Sequence, residues 1–272
     1  FMPFSKLGLS KPVLEGVKAM GWIDPTPIQL RAIPLMLEGR DVIGSAQTGT
    51  GKTGAFALPF ISKLGKKHGK TRVLIIEPTR ELASQVETAI RDYARFTDLT
   101  VAVIYGGVGY TKQLDALKSG VDIIVATPGR LLDHMQSGAA KMGDIEYVVL
   151  DEADRMLDMG FLPDMKRILQ KCPKDRVTAL FSATIPPAIE TLIQWAMNDP
   201  ETIEIGMRRA PKDTIRHVIY PVAERQKADL LYAILDDVNY DSAIVFCRTK
   251  IGADRISNQL KRKNHAVTTL HS

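Results

Sequence analysis

Between Gly44 and Thr53 the chain reads Gly-Ser-Ala-Gln-Thr-Gly-Thr-Gly-Lys-Thr, residue types whose spacing suits the binding of a polyphosphate. Gly49 and Gly51 let the backbone turn tightly and aim successive N–H groups at an anion, with the positive end of a following helix behind them. Lys52 adds a cation for β and γ phosphates, and Thr53 adds a hydroxyl for a magnesium ion. The general phosphate-loop pattern wants a glycine where this chain has Ala46. A glycine-rich turn capping a helix, with an incidental lysine, is the plainer account of the same stretch.

Five further clusters carry hydroxyls, glycines or charges: Pro78-Thr79-Arg80-Glu81-Leu82-Ala83, Gly106-Gly107, Thr127-Pro128-Gly129-Arg130, Asp151-Glu152-Ala153-Asp154 and Ser182-Ala183-Thr184. Singly, each reads as a helix cap or a turn. Yet each follows a short, unbroken apolar run: Val73 to Ile76, Val101 to Ile104, Ile123 to Val125, Val148 to Leu150 and Thr178 to Phe181. Runs without alternation, separated by helical patterns, predict strands buried on both faces of a parallel α/β sheet. Ligands of such sheets gather at the carboxyl ends of the strands, where these clusters fall. Gln29 stands apart. Its amide both donates and accepts, which suits a purine edge, and it equally suits the polar first turn of a helix.

Other elements hold these residues in place. Ser10 to Met20 predicts an amphipathic helix with a capping serine, and Pro25 and Pro27 fix an extended turn leading into a helix from about Gln29 to Glu38. Pro59 predicts an end or kink in the helix that follows the phosphate loop. Lys66 to Lys70 reads as a solvated connection. From Ile203 to Thr214 periodicity is lost and charge is gained, which predicts a linker. A second α/β pattern then begins, with a strand from His217 to Val222, a helix from about Ala223 to Val238, a strand from Ala243 to Cys247, a helix from about Ile251 to Lys263 and a last apolar run from Ala266 to Leu270.

With 272 residues, 45% hydrophobic and 25% charged, the composition is that of a soluble globular protein of about two domains. The net charge of +5, from 36 basic and 31 acidic residues, permits a polyanionic partner and equally describes a mildly basic surface. Cys172 and Cys247 suggest neither a disulfide framework nor a zinc site, which fits a reducing cytoplasm. His68, His134, His217, His265 and His271 show no metal-ligand spacing and read as surface or loop residues. No apolar run approaches the roughly 20 residues that cross a bilayer, so no membrane partner is expected. The opening Phe1-Met2-Pro3 does not read as a signal peptide.

In this order, the clusters resemble the motifs of the DEAD-box family of ATP-dependent RNA helicases, over nearly the whole chain. The resemblance includes the upstream aromatic Phe4, a Q motif from Gly21 to Gln29, and the family's own phosphate loop A-x-T-G-x-G-K-T from Ala46 to Thr53, which carries alanine at this place. It extends through the five clusters to Ile244-Val245-Phe246-Cys247-Arg248-Thr249. It implies a RecA-like parallel sheet flanked by helices over residues 1–207, a linker at 208–215, and the N-terminal part of a second RecA-like domain over 216–272. Family motifs of the types T-D-x-x-A-R-G-x-D and H-R-x-G-R-x-x-R do not occur in this stretch.

The resemblance also implies roles. ATP and magnesium are the cofactors, held by Phe4, Trp22, Pro25, Thr26, Gln29, Ala46, Gln47, Thr48, Gly49, Thr50, Gly51, Lys52 and Thr53, with Thr53 and Asp151 on the metal. Lys52, Asp151 and Glu152 are catalytic, Glu152 positioning and deprotonating the attacking water. Asp154, Ser182 and Thr184 couple nucleotide state to RNA grip. Pro78, Thr79, Arg80, Gly106, Gly107, Thr127, Pro128, Gly129, Arg130, Arg248 and Thr249 contact RNA, single-stranded or in a short duplex, without reading its bases. The expected activity is RNA-dependent ATP hydrolysis coupled to local unwinding, with residues 1–272 alone binding nucleotide but showing little RNA-stimulated ATPase and no unwinding, and with association through the unpaired edge of the partial second sheet. An ATP-gated RNA clamp or assembly factor with slow turnover is a second expectation. A DNA helicase or other phosphate-loop ATPase is a third, which Gln29 and Asp151 to Asp154 oppose.

Overall fold

The computed structural model describes residues 3–46, 49–205, 216, 218–238 and 240–271. The chain divides into two compact units, Phe1–Arg208 and Arg209–Ser272. The first is built on strands β1 (Val42–Ser45), β2 (Val73–Ile76), β3 (Val101–Ile104), β4 (Ile123–Ala126), β5 (Tyr147–Leu150), β6 (Val177–Ser182) and β7 (Glu201–Glu204). Its helices are α1 (Lys11–Ala19), α2 (Pro27–Leu37), α3 (Lys52–Leu64), α4 (Arg80–Tyr93), α5 (Tyr110–Ser119), α6 (Pro128–Gln136), α7 (Ala153–Asp158), α8 (Leu162–Leu169) and α9 (Pro187–Ala196). The second unit holds α10 (Lys227–Asp237) and α11 (Lys250–Arg262).

The strands form one parallel sheet in the order β3-β4-β2-β5-β6-β1-β7. All four residues of β2, of β4 and of β5 are buried, because helices cover the sheet on each side. Val73, Ile75 and Val149 join Phe56 and Phe60 of α3 on one face. Leu74, Ile76, Val148 and Leu150 pack against α6 and α8 residues on the other. This alternation decides which face each strand-end side chain serves.

Several expectations are corrected. Residues Glu201 to Glu204 form β7, paired to β1, whereas a linker was expected from Ile203. The rest of that linker, including 208–215, lies outside the described residues. α3 does not end at Pro59 but continues to Leu64, because Gly54 to Ile61 are all buried and packing outweighs one lost backbone hydrogen bond; of the expected end or kink, the end is thereby corrected. Ser10 precedes α1 without a side-chain cap; its own N–H donates to Ser62 Oγ. His134 is wholly buried in α6 rather than on the surface.

In the second unit the two helices form as expected, and none of the three expected strands does among its described residues. Ile219, Ile244 and Phe246 stand in solvent, Phe246 at 93% exposure. A helix closes its hydrogen bonds within itself, whereas a strand needs a neighbour. What holds this unit together is local: Tyr232 and Leu260 are buried, and the Tyr232 hydroxyl donates to Gln259 Oε1 between α10 and α11.

Candidate nucleotide and RNA sites

At the carboxyl end of β1, Gly51 (φ 91°) caps the start of α3. The turn from Trp22 to Gln29 packs directly on it. Gln29 Oε1 accepts the Thr26 N–H at 2.9 Å, and Gln29 Nε2 donates to Gly51 O at 3.1 Å. Gln29 is therefore buried between the start of α2 and the phosphate loop, with both halves of its amide engaged. A Cβ at Gly51 would stand 2.8 Å from Gln29 Nε2, and one at Gly54 would stand 2.6 Å from it and 3.1 Å from the Trp22 ring. Those approaches explain both glycines, and Gly54 lies outside the motif spacing that sequence reasoning used. Trp22 stacks on Phe4 at 6.1 Å, and Phe4 is buried. Pro25 is also buried, and Gln47 and Thr48 lie outside the described residues.

Lys52 opens α3 and points at β5. Its Nζ lies 3.5 Å from Asp151 Oδ1, and both side chains are nearly buried. Burial pushes the Asp151 carboxyl above its ordinary value, against the pull of Lys52. Next to it, Glu152 has φ 50°, ψ 50°, a left-handed backbone that costs a non-glycine residue roughly 1–2 kcal/mol. The Glu152 N–H donates to Asp151 Oδ1 at 2.9 Å, and Arg155 Nη1 lies 3.3 Å from Glu152 Oε2. The strain turns the chain from β5 into α7 and places Asp151, Glu152 and Asp154 in different directions.

Asp154 looks toward β6. Its N–H donates to Ser182 Oγ at 3.0 Å, Ser182 Oγ donates to Thr184 O at 2.7 Å, and Asp154 Oδ2 accepts the Thr184 N–H and hydroxyl at 2.9 and 3.0 Å. Burial raises the Asp154 carboxyl, but hydrogen bonds from Thr184 and Ser182 outweigh it and hold the group below its ordinary range. Asp154, Ser182 and Thr184 are thus one closed network.

The basic and glycine-containing residues assemble at the ends of β2, β3 and β4. Thr79 caps α4 by accepting the Leu82 N–H at 3.3 Å, and Arg80 beside it is exposed. A side chain added at Gly107 (φ 82°) would come 3.2 Å from Arg80 Nη1. Arg130 Nη1 donates to Val108 O at 3.2 Å, and the Arg130 guanidinium carbon lies over the Tyr110 ring, 5.6 Å from its centroid. The Tyr110 ring in turn stacks on buried His134 at 4.1 Å. Burial, then Arg130, pushes that imidazole below its usual range. Gly106, Gly107, Thr127, Pro128, Gly129 and Arg130 are thereby gathered with Arg80 on one edge. Arg248 and Thr249 belong to the second unit, where Thr249 caps α11 through the Gly252 N–H.

One buried acid was missed. Glu77 ends β2, is 0% exposed, and neither carboxylate oxygen has a hydrogen-bond partner among the described residues. Its signal in the sequence was a lone charge closing an otherwise apolar strand before Pro78. Burial pushes its carboxyl well up, and Asp151 and Glu152 push it further.

The donor chemistry fits magnesium: Thr53 and Asp151 offer hard oxygens only. Among the described residues no group of three or more His, Cys, Asp or Glu side chains is close enough to hold a metal by itself. Magnesium does not need such a cage, since it keeps waters and shares substrate phosphates. Among the same residues no helix is long and apolar enough to cross a membrane.

A family model for DEAD/DEAH box helicases matches residues 26–192. The chain is 41% identical over 270 residues to the ATP-dependent RNA helicase CshA of Limosilactobacillus reuteri, covering 99% of this chain and 54% of that one. It is 40% identical over 268 residues to the DEAD-box ATP-dependent RNA helicase CshA of Geobacillus kaustophilus, covering 98% of this chain and 57% of that one. The crystal structure of a DEAD box protein from Methanococcus jannaschii is similar at a TM-score of 0.72 and 35% identity, covering 100% of this chain and 73% of that one. The chain spans about half the length of the curated relatives it matches.

Proposed function

Because this chain belongs to the DEAD/DEAH box helicase family, we propose that it binds ATP with magnesium at the phosphate loop and couples ATP hydrolysis to gripping and locally unwinding RNA. The buried Lys52–Asp151 pair at the mouth of α3 carries the reading. A cation and a carboxylate held together at a helix N-terminus form a place for an anion and its counter-ion. On nucleotide binding Lys52 turns from Asp151 to the β and γ phosphates, and the N–H groups of the loop hold the remaining oxygens. Thr53 and Asp151 would hold magnesium, which when bound would supply positive charge to offset that of the phosphate oxygens. Glu152 positions the attacking water and accepts its proton. Gln29 aligns the loop through Gly51, and its amide turns to the adenine edge when ATP arrives.

Arg80, Gly106, Gly107 and Thr127 to Arg130 of the first unit take the RNA backbone through guanidinium, hydroxyl and backbone N–H groups; in the second unit, taken by itself, Arg248 and Thr249 are RNA-contacting residues. None of these reads a base, so binding is sequence-independent and weakens as salt rises. The Asp154-Ser182-Thr184 network links the nucleotide site to this grip. Residues 1–207 act as the first RecA-like domain, 208–215 as a linker and 216–272 as the N-terminal part of a second. Residues 1–272 alone bind nucleotide without unwinding a duplex, and the exposed apolar segments at Ile219 and Ile244 to Phe246 favour association between copies. The test is the ATPase rate with RNA, with DNA of the same sequence and with neither, on the full-length parent and its Glu152→Gln variant. RNA-specific stimulation that the variant loses supports the proposal; equal stimulation by both polymers, or a variant at the parental rate, overturns it.

A further inference from the structure

Glu77 has no part in the mechanism above, yet its position is defined by the sheet. Ile76 pairs with Leu150 across β2 and β5, so the next residues, Glu77 and Asp151, are neighbours. Ile75 and Val149, two positions earlier, face α3, and side chains two apart share a face. Glu77 and Asp151 therefore both point to the side where Lys52 begins α3. The backbone is tied as well: the Glu77 N–H donates to Ala126 O at 2.9 Å, and the Asp151 N–H to Ile76 O at 3.2 Å.

A fully buried carboxyl with no partner is a standing cost to the fold, and a methionine or leucine of similar size would avoid it. A few other buried polar atoms lack a partner among the described residues, His134 and Thr178 Oγ1 among them, but Glu77 is the one carboxylate there with both oxygens bare, and such a group calls for a ligand that completes it. Here the neighbours are Lys52, Asp151 and Glu152, which are groups that face magnesium and phosphate. Building on the functional reading above, we propose that Glu77 is a positioning residue of the cation site: its carboxyl accepts hydrogen bonds from water around the hydrated metal, holding the cation against Asp151. It does not touch nucleotide. Its effect is on how much magnesium the site needs, not on how tightly nucleotide binds once magnesium saturates.

The experiment titrates magnesium into residues 1–272 with a fluorescent ADP probe, for the parent, Glu77→Met and Glu77→Gln, and follows thermal unfolding without metal. The midpoint for magnesium should rise roughly 10-fold in Glu77→Met, in the range seen when an outer partner of a metal site is removed. Glu77→Gln, which keeps an acceptor but loses the charge, should fall between. At saturating magnesium all three should bind the probe alike, and Glu77→Met should unfold at or above the parental temperature. Should Glu77→Met fail to fold, the glutamine variant decides the matter, its midpoint shifted or not. Unchanged midpoints in variants of a parent that needs magnesium would overturn the role of Glu77 alone. A parent that binds the probe equally with and without magnesium would overturn the functional reading beneath it.

Discussion

Asp122 and Glu77 are both acids buried at the ends of adjacent central strands, and their surroundings are opposite. Asp122 precedes β4 at the amino end of the sheet. It accepts the His68 and Thr100 N–H groups, the Thr100 hydroxyl and Arg72 Nη2, all within 3.0 Å. Asp41, before β1 at the same end, accepts the Thr178 and Asn198 N–H groups at 2.7 Å each. Glu77 at the carboxyl end accepts nothing among the described residues. One end of the sheet is satisfied by the protein itself and serves stability. At the other, beside the satisfied Asp154, Glu77 stays an unpartnered carboxyl that a ligand can complete, at some cost to stability.

That contrast predicts a double dissociation. The largest effect belongs to Glu152→Gln, which should slow RNA-stimulated ATP hydrolysis roughly 100- to 10,000-fold while leaving nucleotide affinity and unfolding temperature near the parental values. The mirror case is Arg72→Met, which strands the buried Asp122 charge. Denaturant unfolding should show a loss of about 3 kcal/mol, with the nucleotide affinity of the folded fraction unchanged. If both variants lost stability and nucleotide binding together, the division between the ends would be unsupported.

Smaller effects sharpen the same division. Thr184→Val removes one donor from the Asp154 network and should cost about 1 kcal/mol or less in stability, while ATP hydrolysis becomes less responsive to RNA. The Asp122 carboxyl is held below its ordinary value, since its hydrogen bonds outweigh burial. A depressed acid stabilises the fold at pH above its unfolded value near 3.8 and loses that contribution as pH falls through the lower folded value. Unfolding measured from pH 5 downward should therefore be flatter in Asp122→Asn than in the parent, although the variant starts lower.

Much of the first unit was legible because its strands are buried on both faces, and Val73 to Ile76 or Val101 to Ile104 leave little choice of boundary. β7 was not, since Glu201-Thr202-Ile203-Glu204 offers one buried residue on an edge strand. The runs at Ala243 to Cys247 and Ala266 to Leu270 carry the same strand pattern as the first unit and form no ladder among the described residues. Pattern gives a strand its preference, and neighbours give it its hydrogen bonds. Within the site, Lys52 followed from motif spacing, and Asp151 and the Asp154 network from the resemblance to the family. Glu77, Gly54 and the His134–Tyr110 stack did not, because each depends on what another element brings alongside. Gln29 is the first-turn polar residue that one reading expected, capping its helix, and its amide also clamps Gly51 of the loop, a contact neither reading of the sequence contained.

The most direct measurement is a crystal structure of the protein with magnesium and a non-hydrolysable ATP analogue. The account predicts the β and γ phosphates against Lys52 and the loop N–H groups, with the metal on the side of Thr53 and Asp151. A nucleotide bound elsewhere, with Lys52 still paired to Asp151, would contradict it.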